Sequence, residues 1–320
     1  MTRKALFVAL VVLLLTVGFL SVGDVQASEK YQILVSPKGL SQSYWLTVKA
    51  GAEAAAKELG AEIVWRGPAQ ETDVAKQVNV INDFVNKKID AIVVAATDAN
   101  ALIPPLKRAH EAGIPVITID SGINADFPIS HIATNNKEAA KKAAEVLANI
   151  IGKKGEVACI PFVAGAATSI ARENGFKEGI SNYKNIDLVA VQYSQSDYAT
   201  AMKVTENILT AHPNLKGIFA ANEAGAVGAA RALKARGKTA DVILVGFDAA
   251  QTEIDAMKEG IIDALIVQRP YMMGYEGVKN AVAALEGEEV EKLIDTGVVV
   301  ATPDNMNDPE VYKVLFPLKQ

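Results

Sequence analysis

GIPVITIDSG, Gly113–Gly122, begins on a turn, runs through five residues that read as a strand (Pro115–Ile119) and stops on a carboxylate, Asp120. VILVGFDA, Val242–Ala249, repeats the pattern, an apolar run that ends in Asp248. A short continuous apolar run bounded by turn residues reads as a strand buried on both faces, which is the habit of a parallel sheet. Two such strands that each finish on an acid set the question of what the acids face.

Working outward, the same rhythm fills the chain. Gln32–Ser36, Ile63–Trp65 and Ala91–Ala95 read as further strands on the N-terminal side. Between them lie helical stretches at Ser43–Leu59, closed by Gly60, at Asp73–Asn86, and at Ala99–Ala112, closed by Gly113. A second series has strands at Glu156–Ile160, Leu188–Gln192, Gly217–Ala220, Val242–Gly246, Ala264–Val267 and Gly297–Val300. Its helices cover about 169–182, 198–211, 223–236, 250–259 and 271–286. Asn135 is placed to cap one more helix, with Glu138 three residues on. Strands alternating with helices mean right-handed crossovers and a parallel sheet. Nine or ten strands exceed one comfortable core at this length, so the expected fold is α/β with two doubly wound, Rossmann-like lobes. The stretch Ser121–Thr134 breaks the rhythm and marks the first crossing between lobes.

Composition bounds the function. The chain has 320 residues, half of them apolar and 22% charged, with a net charge of −5. An acidic balance argues against nucleic acid as a partner. Arg3 and Lys4, the apolar run Ala5–Leu20 and small residues Val25 and Ala27 read as a secretory signal cleaved after Ala27. Cleavage removes Arg3, Lys4 and Asp24 and leaves 30 basic and 36 acidic residues, net −6. The single cysteine, Cys159, lies inside a strand, which rules out a disulfide within the chain and favours inert packing. An exported domain without disulfides suits a bacterial periplasm.

No dinucleotide fingerprint or P-loop follows any strand, and no cofactor is expected. Gly225 and Gly228 read as packing glycines inside a helix. The three histidines, His110, His131 and His212, are dispersed, and Pro303–Pro309 lacks calcium-loop spacing, so no metal is expected either.

In a doubly wound sheet, ligands bind beyond the carboxyl ends of the strands. Asp120, Asp248, Asn222 and Gln268 all follow strands, and Arg172 lies in the first turn of a helix. Ionised Asp only accepts hydrogen bonds, Arg only donates, and Asn and Gln do both. Hydroxyl groups need that mixture, so the set suits a sugar or polyol. Tyr44 and Trp45 are placed to cover the apolar face of such a ring. Each residue also has a plainer role: Asp as turn former or cap, Asn222 as cap, Arg172 as a surface ion pair, Trp45 as core.

The chain resembles the periplasmic binding proteins of ribose-type sugar ABC transporters, which share their fold with the ligand domains of LacI-type repressors. The likeness rests on KAGAEAAAKELG (Lys49–Gly60), GIPVITIDSG, HIATNN (His131–Asn136), ATSIARENGFKEG (Ala167–Gly179), ILTAHPNLKGIFAANE (Ile208–Glu223), LVGFDA (Leu244–Ala249) and ALIVQRP (Ala264–Pro270). The resemblance implies sugar contacts from Gln42, Tyr44, Trp45, Asp120, Arg172, Asn222, Asp248 and Gln268. Two positions depart from it. Ser121 stands where ribose binders carry arginine, and Ser196 replaces an aromatic before Asp197, with Tyr198 following. Ser121 and Tyr198 join the candidate set, and ribose becomes one sugar among several.

The resemblance further implies three hinge crossings, near Thr134, Gln268 and Asp295–Gly297. The lobes are then 28–133 with 269–295, and 134–268 with 296–320. A membrane permease is the expected partner of a monomeric protein, with a chemoreceptor as a further candidate. Alternatives from other classes are a receptor for a sugar-like signal and a carbohydrate-active enzyme. Against the enzyme, Arg172 is expected to keep a nearby acid ionised. Against a transcription regulator, an export signal stands where a helix-turn-helix belongs.

Overall fold

The computed structural model describes residues 30–319, so the expected signal segment lies outside the described residues. The first run of elements is β1 (Gln32–Ser36), α1 (Ser43–Leu59), β2 (Glu62–Trp65), α2 (Val74–Asn86), β3 (Ala91–Val94), α3 (Ile103–Glu111), β4 (Val116–Ile119) and β5 (Ser130–Ala133). Next come α4 (Asn136–Ile150), β6 (Gly155–Ile160), α5 (Ala167–Ser181), β7 (Ile186–Val191), α6 (Tyr198–Ala211) and β8 (Leu215–Ala220). The chain ends with α7 (Glu223–Ala235), β9 (Ile243–Phe247), α8 (Gln251–Lys258), β10 (Ala264–Val267), α9 (Pro270–Leu285), β11 (Leu293–Asp295), β12 (Val299–Ala301) and α10 (Pro309–Leu315).

These strands form two six-stranded sheets, ordered β11-β5-β4-β3-β1-β2 and β12-β10-β9-β8-β6-β7. Each order reverses beside its first strand, so each sheet has a switch point, at β1/β3 and at β6/β8. Side chains alternate between two layers. In the first sheet Ile33, Val35, Val93 and Ile117 pack under α1 and α9, and Leu34, Ile92, Val94 and Val116 pack on the opposite face with α2 and α3. In the second sheet, Val157, Cys159, Phe219 and Val245 pack with α4 and α5, opposite a layer built on Ile160, Ile218, Leu244 and Leu265. Central strands covered on both sides read as continuous apolar runs, which is why they are legible in the sequence. Each large aliphatic buried this way contributes about 1.5–3 kcal/mol.

Close helix contacts depend on glycine. A Cβ at Gly51 of α1 would stand 2.0 Å from the Tyr271 carbonyl oxygen, and one at Gly274 of α9 would stand 1.9 Å from that of Val48. The backbones of α1 and α9 therefore touch. At α6 and α7, a Cβ on Gly228 would stand 2.6 Å from the Tyr198 carbonyl oxygen, the packing role expected of that glycine.

The structure adds to the sequence reading in four places. Ser130–Ala133 and Leu293–Asp295 are strands β5 and β11, paired with each other at one side of the first sheet. Both are short and lack an apolar run: β11 is LID, with only its central residue partly covered. β11 is a strand by pairing rather than by burial, whereas β5 is largely buried but mixes Ser130 and His131 with Ile132 and Ala133 and so shows no apolar run. β12 runs antiparallel to β10. The chain leaves β11 at the carboxyl edge of the first sheet and turns at Gly297 (φ 67°). It then enters the second sheet from its carboxyl edge, so it must run against its neighbours. Finally, α10 occupies Pro309–Leu315, a stretch to which the sequence reading assigns no element.

Candidate functional site

The two acids of the opening question share one geometry. Asp120 has φ 54° and Asp248 has φ 89°, left-handed conformations that Asp tolerates better than most residues. Each still pairs its N–H with the next strand, Asp120 to the Ile132 oxygen at 2.9 Å and Asp248 to the Ile266 oxygen at 3.0 Å. The ladder therefore ends at the acid, and the backbone turns there. Asp120 is 3% exposed and Asp248 6%.

Both acids line one cavity. The first sheet's elements contribute Lys38, Gln42, Tyr44, Trp45, Glu71 and Asp120 to it, and the second sheet's contribute Phe162, Arg172, Asn222, Glu223, Asp248 and the linking Gln268. A larger crevice adjoins it, walled mainly by apolar residues of α8, α10 and the C-terminal segment. The polar groups converge on the smaller space, which makes that space the candidate site.

Each acid is held by donors. Asp120 accepts from the Tyr44 hydroxyl at 2.9 Å and forms a 2.9 Å ion pair with Lys38. The Lys38 ammonium also donates to Thr168 Oγ1 (3.1 Å) and stands 5.5 Å from the Trp45 ring centre and 5.2 Å from that of Phe162. Asp248 accepts from Gln268 Nε2 at 2.6 Å and from the Glu223 backbone N–H at 3.0 Å. Burial pushes the Asp248 carboxyl up to about 6, against the opposing pull of Arg172 and Gln268. Arg172 was expected to keep its neighbouring acid ionised. It does act in that direction, but removal of the carboxylate from water outweighs it. Burial also pushes the Tyr44 phenol well above its ordinary range, helped by the charges of Asp120 and Asp248.

Arg172 is 2% exposed, not the surface ion pair that was its plainer reading. Its Nε donates to Asn136 Oδ1 (2.7 Å) and one Nη to the Ala221 oxygen (2.8 Å), and its plane lies 3.8 Å from the centre of the Phe247 ring. Two of five N–H donors are spent there, so the remaining fork is available to a ligand. The placement depends on α5 lying close to α4, where a Cβ at Gly175 would stand 2.2 Å from the Lys137 carbonyl oxygen.

Asn222 fills both of its readings. Its Oδ1 caps α7 by accepting from Gly225 N (3.0 Å), and its Nδ2 donates to Ser196 Oγ (2.8 Å) at the cavity wall. Trp45 likewise is core and lining at once: 1% exposed, edge-on to Tyr44 at 4.9 Å, and donating from Nε1 to Glu71 at 2.9 Å. Of the ten candidates, Ser121 and Tyr198 do not line the cavity. Ser121 is fully buried behind Asp120. Tyr198 reaches the site only through its hydroxyl, which donates to Glu223.

Four lining residues were not anticipated. Lys38 supplies beside Asp120 the cation that Ser121 lacks, and Phe162 supplies an aromatic wall just past β6. Both follow strand ends, a signal that could have found them. Glu223 directly follows Asn222. Glu71 sits in the loop between β2 and α2 with no marker in the sequence.

The cavity is closed by contacts between elements of the two sheets. Gln42 Nε2 donates to Ser196 Oγ at 3.1 Å, Ala99 N to the Gly165 oxygen at 3.1 Å, and the Ser43 and Tyr44 N–H groups to Glu223 at 3.3 and 3.0 Å. Among the described residues, no cluster of three or more His, Cys, Asp or Glu is placed to hold a metal ion.

This geometry has close relatives. Residues 33–289 match the model of the periplasmic binding protein domain. The ribose import binding protein RbsB of Salmonella typhimurium is 31% identical over 91% of this chain and 95% of its own length. An ABC transporter solute binding protein from Agrobacterium vitis, solved with bound D-fucose, is 41% identical with a TM-score of 0.87 over 89% of this chain and 99% of that one. A carbohydrate transporter solute binding protein from Agrobacterium radiobacter, solved with D-arabinose, is 33% identical with a TM-score of 0.87, covering 90% of this chain and 99% of that one. Two switch-point sheets, a polar cavity between them and matches that span nearly the whole length agree: the chain belongs to the periplasmic binding protein family, among the sugar-binding proteins of ribose-type ABC transporters.

Proposed function

We propose that this protein is the periplasmic solute-binding component of an ABC importer, and that it takes a monosaccharide or related polyol between its lobes. The observation that carries the reading is the convergence of Asp120, Asp248 and the Arg172 fork in one cavity. Acceptors, donors and the aromatic sides of Trp45 and Phe162 suit a ring with hydroxyls at its rim and C–H groups on its faces. Charge-assisted bonds of this kind contribute roughly 1.5–3 kcal/mol each. Similarity to proteins that hold D-fucose and D-arabinose supports the ligand class.

The ligand contacts in this reading are Gln42, Tyr44, Trp45, Asp120, Arg172, Asn222, Asp248 and Gln268, with Lys38 added. The lobes are 28–133 with 269–295 and 134–268 with 296–320, and the hinge bends where the chain passes between sheets. A ligand touching both lobes favours the closed form in proportion to its extra contacts there. The permease reads that closed form. The protein is a monomer, exported with cleavage after Ala27, and it binds without turning its ligand over.

Calorimetry of the mature protein against pentoses, hexoses, deoxyhexoses and polyols tests this, with a chromogenic glycoside assay beside it. Saturable 1:1 binding without product formation is expected. Steady release of product, or no binding to any sugar or polyol, overturns the proposal.

A further inference from the structure

Glu71 stands apart from the strand-end pattern that supplies the rest of the site. It comes from the loop between β2 and α2, is 6% exposed and lines the cavity. Its Oε1 accepts from Trp45 Nε1 at 2.9 Å. Its Oε2 is buried with no hydrogen-bond partner. Gly39 packs against the pair: a Cβ there would lie 3.4 Å from the Trp45 ring and 3.6 Å from Glu71 Cγ.

A buried anionic oxygen without a donor is costly until something meets it. None of the cavity's own donors meets it: the free fork of Arg172 comes from the second sheet's side and makes no bond to Glu71, and the other donors serve other groups. Lys38 serves Asp120 and Thr168, and Gln268 serves Asp248. The carboxylate can only accept, so its partner must arrive as an O–H or N–H on whatever fills the cavity. Charge points the same way. Glu71, Asp120, Glu223 and Asp248 face two cations, Lys38 and Arg172, and Lys38 is already paired.

Resting on the sugar-binding reading above, we propose that Glu71 is a specificity-determining residue. Its Oε2 accepts a hydrogen bond from a ligand hydroxyl and thereby selects neutral polyhydroxylated rings over sugar acids and sugar phosphates. An anionic substituent has no proton to give Oε2 and meets a like charge at close range. Specificity then comes from repulsion as well as attraction.

The test uses the mature protein, E71Q and E71A, with matched probes: D-galactose against D-galacturonate, D-glucose against D-glucuronate, and a set of neutral pentoses and 6-deoxyhexoses. Glutamine keeps an oxygen for Trp45 and turns an NH₂ toward the cavity. A role limited to holding Trp45 therefore leaves E71Q like wild type. Selection at Oε2 gives a wild type that takes a neutral sugar at least ~100-fold more tightly than any uronate. E71Q then loses roughly 10–100-fold on the neutral sugar, and its neutral-to-uronate ratio shrinks. E71A shows the same shrinkage of the ratio, which guards against a fault peculiar to the amide. E71Q with wild-type affinity and an unchanged ratio overturns the inference and leaves the sugar reading standing. A wild type that binds no probe overturns both.

Discussion

Glu223 offers the sharpest test of how binding and closure are joined. Helix α1 has no side-chain cap of its own: Gln42 is extended at the N-cap position and makes no capping bond. The Ser43 and Tyr44 N–H groups are received instead by Glu223, from the start of α7 on the other sheet's side of the cavity. The Glu223 backbone N–H is in turn held by Asp248. The carboxylate that grips α1 and the carboxylate expected to grip ligand thus move together. In Glu223→Gln the geometry survives and the charge goes. Hydrogen bonds to charged groups contribute about 1.5–3 kcal/mol and neutral ones about 0.5–1.5. A negative charge at a helix N-terminus contributes about 0.3–1 kcal/mol, reaching ~2 when partly buried. These two descriptions overlap, so the expected loss is about 1–2 kcal/mol, or roughly 5–30-fold in Kd. Because the contact joins elements of the two lobes, the loss is expected to fall on binding and closure rather than on folding. Titration calorimetry with the tightest sugar reads the affinity, small-angle scattering reads the closed population, and thermal unfolding of the ligand-free protein serves as control. An affinity within twofold of wild type, with normal closure, refutes the latch.

Two further outcomes follow from the geometry. Gly274→Ala places a methyl group against the Val48 backbone, which cannot yield without separating α1 from α9; overpacking of this kind costs about 1–3 kcal/mol, so a lower Tm is expected, and an unchanged one contradicts the contact. The Asp248 carboxyl is raised from its ordinary 3.8 to about 6 in the folded protein, so between those values the folded state holds more protons than the unfolded state, and stability falls as pH rises through that window. Glu253, buried nearby and also pushed upward, adds with the same sign, and Asp248→Asn removes only the Asp248 share. Ligand hydroxyls favour the ionised carboxylate. Sugar affinity is therefore expected to weaken as pH drops below about 6, with proton release on binding. Calorimetry from pH 5 to 8 in two buffers of different ionisation enthalpy checks this, and a flat profile contradicts it.

Much of the site was legible because it follows a local rule. Asp120, Asn222, Asp248 and Gln268 each interrupt or follow an apolar strand, and a polar residue at that place must face either solvent or a cleft. Arg172 belonged to the set by its place near a helix start, although its burial against Phe247 shows only in three dimensions. Ser121 and Tyr198 enter only where the chain departs from the family pattern, and neither lines the cavity. Glu71 left no trace in the sequence because a loop carboxylate looks the same whether it faces water or Trp45.

By itself, the sequence determined the alternation of strands and helices, the parallel sheets and the acids at their edges. These rest on burial of continuous apolar runs, which is written residue by residue. Tertiary structure decided the pairing of β5 with β11, the reversed direction of β12, and the identity of the residues that meet across the cleft. Those depend on where separate chain segments come to lie after two cores have formed and been brought together. Contacts such as Glu223 with α1, or Lys38 with Thr168, are set by that placement and by no neighbouring residue.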